Sequence, residues 1–147
     1  MDLKFEHLVG RDFIHGSDDC YGLQRQFWKD NFELDFPDYA RPDNWWDQGM
    51  DLYSDNFADC GFHVMEVRPD KVQLADVFLM AVRSRVSNHA AVYVGGGKIL
   101  HHFIGRRSEV IEYSGLWRNK TTAILRHESL LNWKPKNVRI NLESVAL

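Results

Sequence analysis

Cys20 stands in the run Ser17-Asp18-Asp19-Cys20-Tyr21-Gly22-Leu23-Gln24-Arg25-Gln26-Phe27-Trp28, which starts small and polar and becomes apolar at helical spacing. Ser17, Asp18 and Asp19 are all good N-cap residues. The spacing predicts a helix over 19–31 with Cys20 in its first turn. Unpaired backbone N–H groups and the positive end of the helix dipole favour a thiolate there. The same donors suit an oxyanion forming on an attacked carbonyl. Two histidines could complete a nucleophilic site: His89, which opens an apolar run, and His101, which follows Gly95-Gly96-Gly97. Such a site needs a thiolate, an imidazole that shuttles the proton, and a third polar group that fixes the imidazole tautomer. The plain alternative makes Cys20 a small buried residue and each histidine a satisfied strand residue.

The other cysteine, Cys60, lies beside Asp55 and Asp59. Negative charge opposes ionisation, so Cys60 is expected to stay protonated. Cys20 is expected to ionise below the roughly 8.5 of a free thiol and to be alkylated first. Cys60 and His63 make a Cys-x2-His pair, but no matching second half follows, so no metal is expected. Nothing in the spacing argues for a disulfide.

The elements that must position these groups follow from pattern. The chain has 147 residues, 44% hydrophobic and 13% aromatic, which fits one folded domain. A formal charge of −3 with scattered basic residues does not favour nucleic acid. No run approaches the roughly 18 apolar residues of a membrane span, and residues 1–10 carry no secretory h-region. Residues 3–9 read as a short turn closed by Gly10, and 11–16 as an extended approach. Phe32–Asp43 is a loop. Asp43-Asn44-Trp45-Trp46 begins like a capped helix running to Phe57, with Trp46, Met50 and Tyr53 on one face. Strands are expected over 62–67, 75–82, 88–94, 98–104, 109–113 and 121–126, with a turn at Pro69-Asp70 and Trp117 in a connection. Helices first and hairpin-connected strands after argue an α+β fold with an antiparallel sheet.

Hairpin register decides which histidine meets His89. A three-residue loop over Gly95–Gly97 pairs Val94 with Lys98 and Ala91 with His101, putting His89 and His101 on one face. A two-residue loop slips the register by one and substitutes His102.

Several segments resemble one family. Asp19-Cys20-Tyr21-Gly22-Leu23 resembles the Asp-Cys-Ser-Gly-Leu/Phe box of NlpC/P60 cysteine peptidases. His89-Ala90-Ala91-Val92-Tyr93-Val94-Gly95 is similar to their His-Val-Gly-Ile-Tyr-Leu-Gly box. Lys98-Ile99-Leu100-His101 resembles the next strand, and Leu74-Ala75-Asp76-Val77-Phe78 a variant of the Leu-x-Pro-Gly-Asp-Leu segment. The boxes run in family order from Gly10 to about Ile111. The resemblance implies a papain-like fold with the nucleophile helix packed on the sheet. It maps Cys20 to nucleophile, His89 to base and His101, over His102, to the orienting residue. Phe13 stands where members often carry a tyrosine near the oxyanion, and Tyr21 replaces the usual serine. Asp19, Tyr21 and Phe13 are therefore the substrate or oxyanion candidates, with backbone N–H groups near Cys20 left to hold the oxyanion.

The implied reaction is hydrolysis of amide bonds in peptidoglycan stem peptides, often between D-γ-glutamate and a diamino acid, with no cofactor. The Asp-Cys-Tyr-Gly-Leu box and the aromatic insertion between helix and sheet resemble the branch found in tail-tip assembly proteins of long-tailed bacteriophages. That implies a virion-tail location, other tail-tip proteins as partners, and either wall opening or tail assembly as the task. The alternative is a tail structural protein with a vestigial site. The expected layout is a single domain over 1–147, with a catalytic core over about 5–128 and an extension over 129–147. Trp45, Trp46 and the tail after Leu130 are expected to contact other tail proteins.

Overall fold

The computed structural model describes residues 1–66 and 71–131. Among these residues six strands form one sheet: β1 (Phe62–Val64), β2 (Val77–Met80), β3 (His89–Gly95), β4 (Lys98–His101), β5 (Glu109–Glu112) and β6 (Thr121–His127). Their order is β1-β6-β2-β3-β4-β5, and every neighbouring pair is antiparallel. Two helices precede the whole sheet, α1 (Cys20–Phe32) and α2 (Leu52–Asp59), and a single turn, α3 (Gly115–Arg118), joins β5 to β6. The architecture is α+β, with the helix that begins at Cys20 laid against β3.

Strand alternation splits the apolar residues between two cores. Val77 and Leu79 of β2 pack under α1 with Leu23, Phe27 and Trp28, while Phe78 and Met80 pack on the far face with Ile99, Tyr113 and Trp117. A strand covered on both faces must read as a continuous apolar run, and Val77–Met80 is buried throughout. No helix among the described residues is long and apolar enough to cross a membrane.

Three expectations change. The helix expected from Asp43 to Phe57 is two elements, a 3-10 turn over Trp45–Gln48 and then α2. Gly49 takes φ 79° at the end of the turn, and that left-handed residue breaks the helical path. Asn44 itself sits at φ 52° and provides no side-chain cap. The first strand stops at Val64. The Pro69-Asp70 turn and the tail expected beyond residue 131 lie outside the described residues.

The hairpin reconciles the two registers. Ala91 faces His101, Val92 faces Leu100 and Tyr93 faces Ile99, yet Gly95, not Val94, faces Lys98. The turn is the two-residue Gly96-Gly97, both at positive φ. The register shift between Tyr93 and Gly95 leaves Val94 as an extra residue. A short turn plus one bulged residue gives the pairing of a three-residue loop.

Asp76 ties the sheet together where β2 begins. Its fully buried carboxylate accepts Arg126 Nε at 2.8 Å and Nη2 at 2.9 Å from β6, and the Gln73 amide at 2.9 Å. Arg126 is itself buried. Asp76→Ala would strand a buried guanidinium and is expected to cost about 3–5 kcal/mol in urea unfolding. A loss below about 1 kcal/mol would show that the pair carries no such role.

Candidate active site

The local fold around Cys20 begins with one carboxylate. Asp19 caps α1, accepting the Gly22 amide on Oδ1 at 2.9 Å and the Gly16 amide on Oδ2 at 3.0 Å. The Leu23 amide bonds the Asp19 carbonyl at 2.9 Å. Of the first-turn amides, those of Cys20 and Tyr21 are left with no intrahelical acceptor. Gly22 is required here because a Cβ would overlap the Ser17 carbonyl oxygen. Arg41 donates from Nε to Asp19 Oδ2 at 2.7 Å, from Nη2 to the Gly16 carbonyl at 2.7 Å and from Nη1 to the Tyr39 carbonyl at 2.7 Å. This buried guanidinium also lies 5.1 Å over the Tyr21 ring. It binds the loop after α1 onto the segment that presents Cys20.

A cavity of about 580 Å³ opens where β3 begins, and Cys20, His89, Asp19 and Phe13 all line it. The structure thus brings together residues 69 positions apart in sequence. Cys20 Sγ lies 2.7 Å from Tyr53 Oη of α2, and His89 Nε2 lies 2.8 Å from His101 Nδ1. His101 Nε2 lies 2.9 Å from Glu109 Oε2, which also receives Arg106 Nη2 at 2.8 Å. Partner chemistry assigns the protons. A carboxylate only accepts, so His101 carries its proton on Nε2 and its Nδ1 is an acceptor. His89 then donates from Nε2, leaving its own Nδ1 as the free base. Phe103 and Trp117 enclose this pair, with ring centroids 5.3 Å from His89 and 4.9 Å from His101 respectively.

Burial overrides the helix dipole. The Cys20 thiol is pushed up to about 12, first by desolvation and then by the Asp19 charge; the Tyr53 hydroxyl, the Ala90 amide and Arg41 oppose this only in part. Desolvation also holds His89 well below the ordinary histidine range, helped by His101 and His102. His101 is lowered by the same cause, against the pull of Glu109. These shifts leave the thiol and the imidazole neutral near pH 7. The expectation of a ready thiolate is not met, because burial of Cys20 and the neighbouring Asp19 charge both disfavour the charged form.

Other candidates fall differently. The Tyr21 side chain is fully buried and its hydroxyl donates to the Pro37 carbonyl at 2.8 Å, so only its backbone amide remains for an oxyanion. Trp45 and Trp46 line the cavity, and Trp45 is only 1% exposed, so it offers no surface to a partner protein. Cys60 lies 3.9 Å from Tyr39 Oη, and His63 lies 3.6 Å from Glu128. His102 lines the cavity wall against Phe13, and its buried Nε2 has no hydrogen-bond partner among the described residues. Sequence reasoning missed Tyr53 as a partner of Cys20 and Glu109 as a partner of His101. The second had a visible signal: the β4–β5 register sets Glu109 directly opposite His101. The first had none, since it depends on how a loop folds back.

Residues 10–126 match the NlpC/P60 family. The chain is 39% identical over 126 residues to tail tip assembly protein K of Escherichia phage lambda, covering 84% of this chain and 60% of that protein. It is 30% identical over 125 residues to tail tip assembly protein K of Escherichia phage N15, covering 84% of this chain and 50% of that one. The chain thus spans only about half to three-fifths of these relatives. Among solved structures, an NLP/P60-family protein similar to lipoprotein from Staphylococcus aureus superposes with a TM-score of 0.57 at 16% identity, over 82% of this chain and 38% of the other. An NlpC/P60 family protein from Bacillus cereus gives 0.53 at 18% identity, over 82% and 36%. The chain belongs to the NlpC/P60 family.

A thiol held near 12 has a testable signature. In the free protein, iodoacetamide is expected to reach half-buried Cys60 before Cys20. The Cys20 rate is expected to rise about tenfold per pH unit from pH 7 to 9 without a plateau, because only the thiolate reacts. Peptide mass spectrometry reads both sites. First labelling at Cys20, or a plateau below pH 8, would contradict the burial account.

Proposed function

We propose that this NlpC/P60 member is a cysteine peptidase that hydrolyses peptidoglycan stem peptides, at bonds of the D-γ-glutamyl-diamino acid type, in association with a bacteriophage tail tip. The observation that carries the reading is the meeting at one cavity of Cys20, on a helix N-terminus, with His89, whose tautomer is held by a buried chain ending in Glu109. Cys20 Sγ attacks the carbonyl carbon, and the thiol proton passes to His89 Nδ1 as the carbon–sulfur bond forms. The amides of Cys20 and Tyr21 hold the oxyanion. Collapse breaks the carbon–nitrogen bond, and the imidazolium protonates the leaving amine. Water, deprotonated by His89, then releases the acyl group. His101 orients the base.

The cavity supports the substrate class. Its walls are apolar, and Arg83, Arg106 and Lys120 stand on its lining, while its one carboxylate, Asp19, is neutralised by Arg41. Arg106 is paired with Glu109, so Arg83 and Lys120 supply the positive charge that fits a peptide rich in free carboxylates. The likeness to tail tip assembly proteins of two phages supports the tail-tip setting, and with it a task in wall opening or in tail assembly. The same likeness favours a second reading, in which the chain acts as an assembly protein and the site is vestigial.

Digestion of purified peptidoglycan, with muropeptides read by mass spectrometry, separates the two. Wild type is expected to release new fragments, and Cys20→Ala and His89→Ala to lose at least about 1000-fold with unchanged circular dichroism, because nucleophile and base act as a unit. His101→Asn is expected to keep measurable turnover, since an amide can still accept from His89 Nε2. Release by Cys20→Ala at the wild-type rate would sink the peptidase reading. No release by the wild type would favour the assembly protein.

A further inference from the structure

Tyr53 has no task in the hydrolysis outlined above, yet its hydroxyl is 2.7 Å from Cys20 Sγ. It comes from α2, 33 residues further along the chain. Its ring is 2% exposed and is held by Trp45 at 5.0 Å and Phe57 at 5.9 Å between centroids. Side chains locked this way hold a donor in place without reorganisation, which is what an oxyanion site requires.

We infer that Tyr53 is a further catalytic residue, donating its hydroxyl hydrogen bond to the oxygen that becomes negative when Cys20 attacks a carbonyl. The inference rests on the peptidase reading for its physiological use, but not for its chemistry. When Sγ bonds to the carbonyl carbon, the electron pair of the C=O π bond moves to oxygen and the thiol proton leaves for His89. The oxygen is then one bond from the carbon that sulfur has joined, within reach of a hydroxyl that already touches the sulfur. Tyr53 lends a hydrogen bond and keeps its proton. When the C=O bond re-forms and the amine departs, the hydroxyl returns to sulfur. Burial first, then the negative charge that a Cys20 thiolate would add and the charge of Asp19, lift the phenol well above the ordinary tyrosine range, so it stays a donor at any working pH. The neighbouring amides of Cys20 and Tyr21 supply the other donors. Phe13 lines the same cavity without a hydroxyl to offer.

A role in the oxyanion site differs from a role in merely holding the thiol. N-acetyl-glycinal, a minimal peptide aldehyde, adds reversibly to a thiol: the carbon–sulfur bond forms and the carbonyl oxygen becomes tetrahedral. Iodoacetamide alkylates the same sulfur by displacing iodide, and no oxyanion forms. Tyr53→Phe is expected to weaken the aldehyde adduct about 100-fold, the scale of one lost oxyanion donor. Its alkylation rate at pH 9 is expected to fall by less than about tenfold, because loss of the hydroxyl lets the thiol pKa rise further. 3-Fluorotyrosine at position 53, which keeps the hydroxyl and the ring shape, is expected to retain at least wild-type aldehyde affinity. Equal changes in both reactions, no change in either, or no adduct with wild-type Cys20 would overturn the assignment. If the wild type cuts no peptidoglycan but the aldehyde and alkylation results still diverge, the substrate reading falls and Tyr53 stands.

Discussion

Much of the site depends on the buried pair of Asp19 and Arg41. One carboxylate caps the helix that carries Cys20, gathers the Gly16 amide, and accepts a guanidinium that is only 1% exposed at its side chain. Two buried charges are tolerable only when their hydrogen bonds are nearly all made, and here they are. Arg41 also fastens the loop after α1 through the Tyr39 and Gly16 carbonyls. That loop leads into the insertion bearing Trp45 and Tyr53. The cap, the cavity wall and the hydroxyl beside the thiol therefore depend on the same ion pair.

Around that frame, water exclusion sets the chemistry. Phe103 and Trp117 enclose His89 and His101, burial lowers both imidazoles, and the burial of Cys20 beside Tyr53, with the Asp19 charge, lifts the thiol. A preformed thiolate–imidazolium pair would be costly in such a site. A neutral pair that separates charge only as a carbonyl is attacked gains more from fixed donors, because hydrogen bonds are stronger where the dielectric is low. Glu109 sits at the open end of the chain, bonded to Arg106, where its charge stays partly solvated.

The legible parts of the chain were those governed by local periodicity. Leu23, Phe27 and Trp28 repeat at helical spacing, and all three are buried where α1 meets the sheet. The pairing of Ala91 with His101 followed from glycine count and alternation, although the bulge at Val94 was hidden, since either loop length satisfies the sequence. The break at Gly49 is invisible to periodicity, because Trp46, Met50 and Tyr53 keep helical spacing across it and spacing does not register a left-handed residue. The Cys20–Tyr53 contact and the height of the thiol pKa were not legible. Both arise from tertiary burial, which outweighs the helix dipole that the local sequence advertises.

Glu109 and His101 fix the His89 tautomer so that Nδ1 is the free base. Nitrogen-15 NMR of the histidine rings at pH 7, assigned by His89→Gln and His101→Gln, reads each nitrogen directly. Both rings are expected to be neutral, each protonated at Nε2 and bare at Nδ1, with Glu109→Ala disturbing His101 first. A His89 ring protonated at Nδ1, or at both nitrogens, would contradict it.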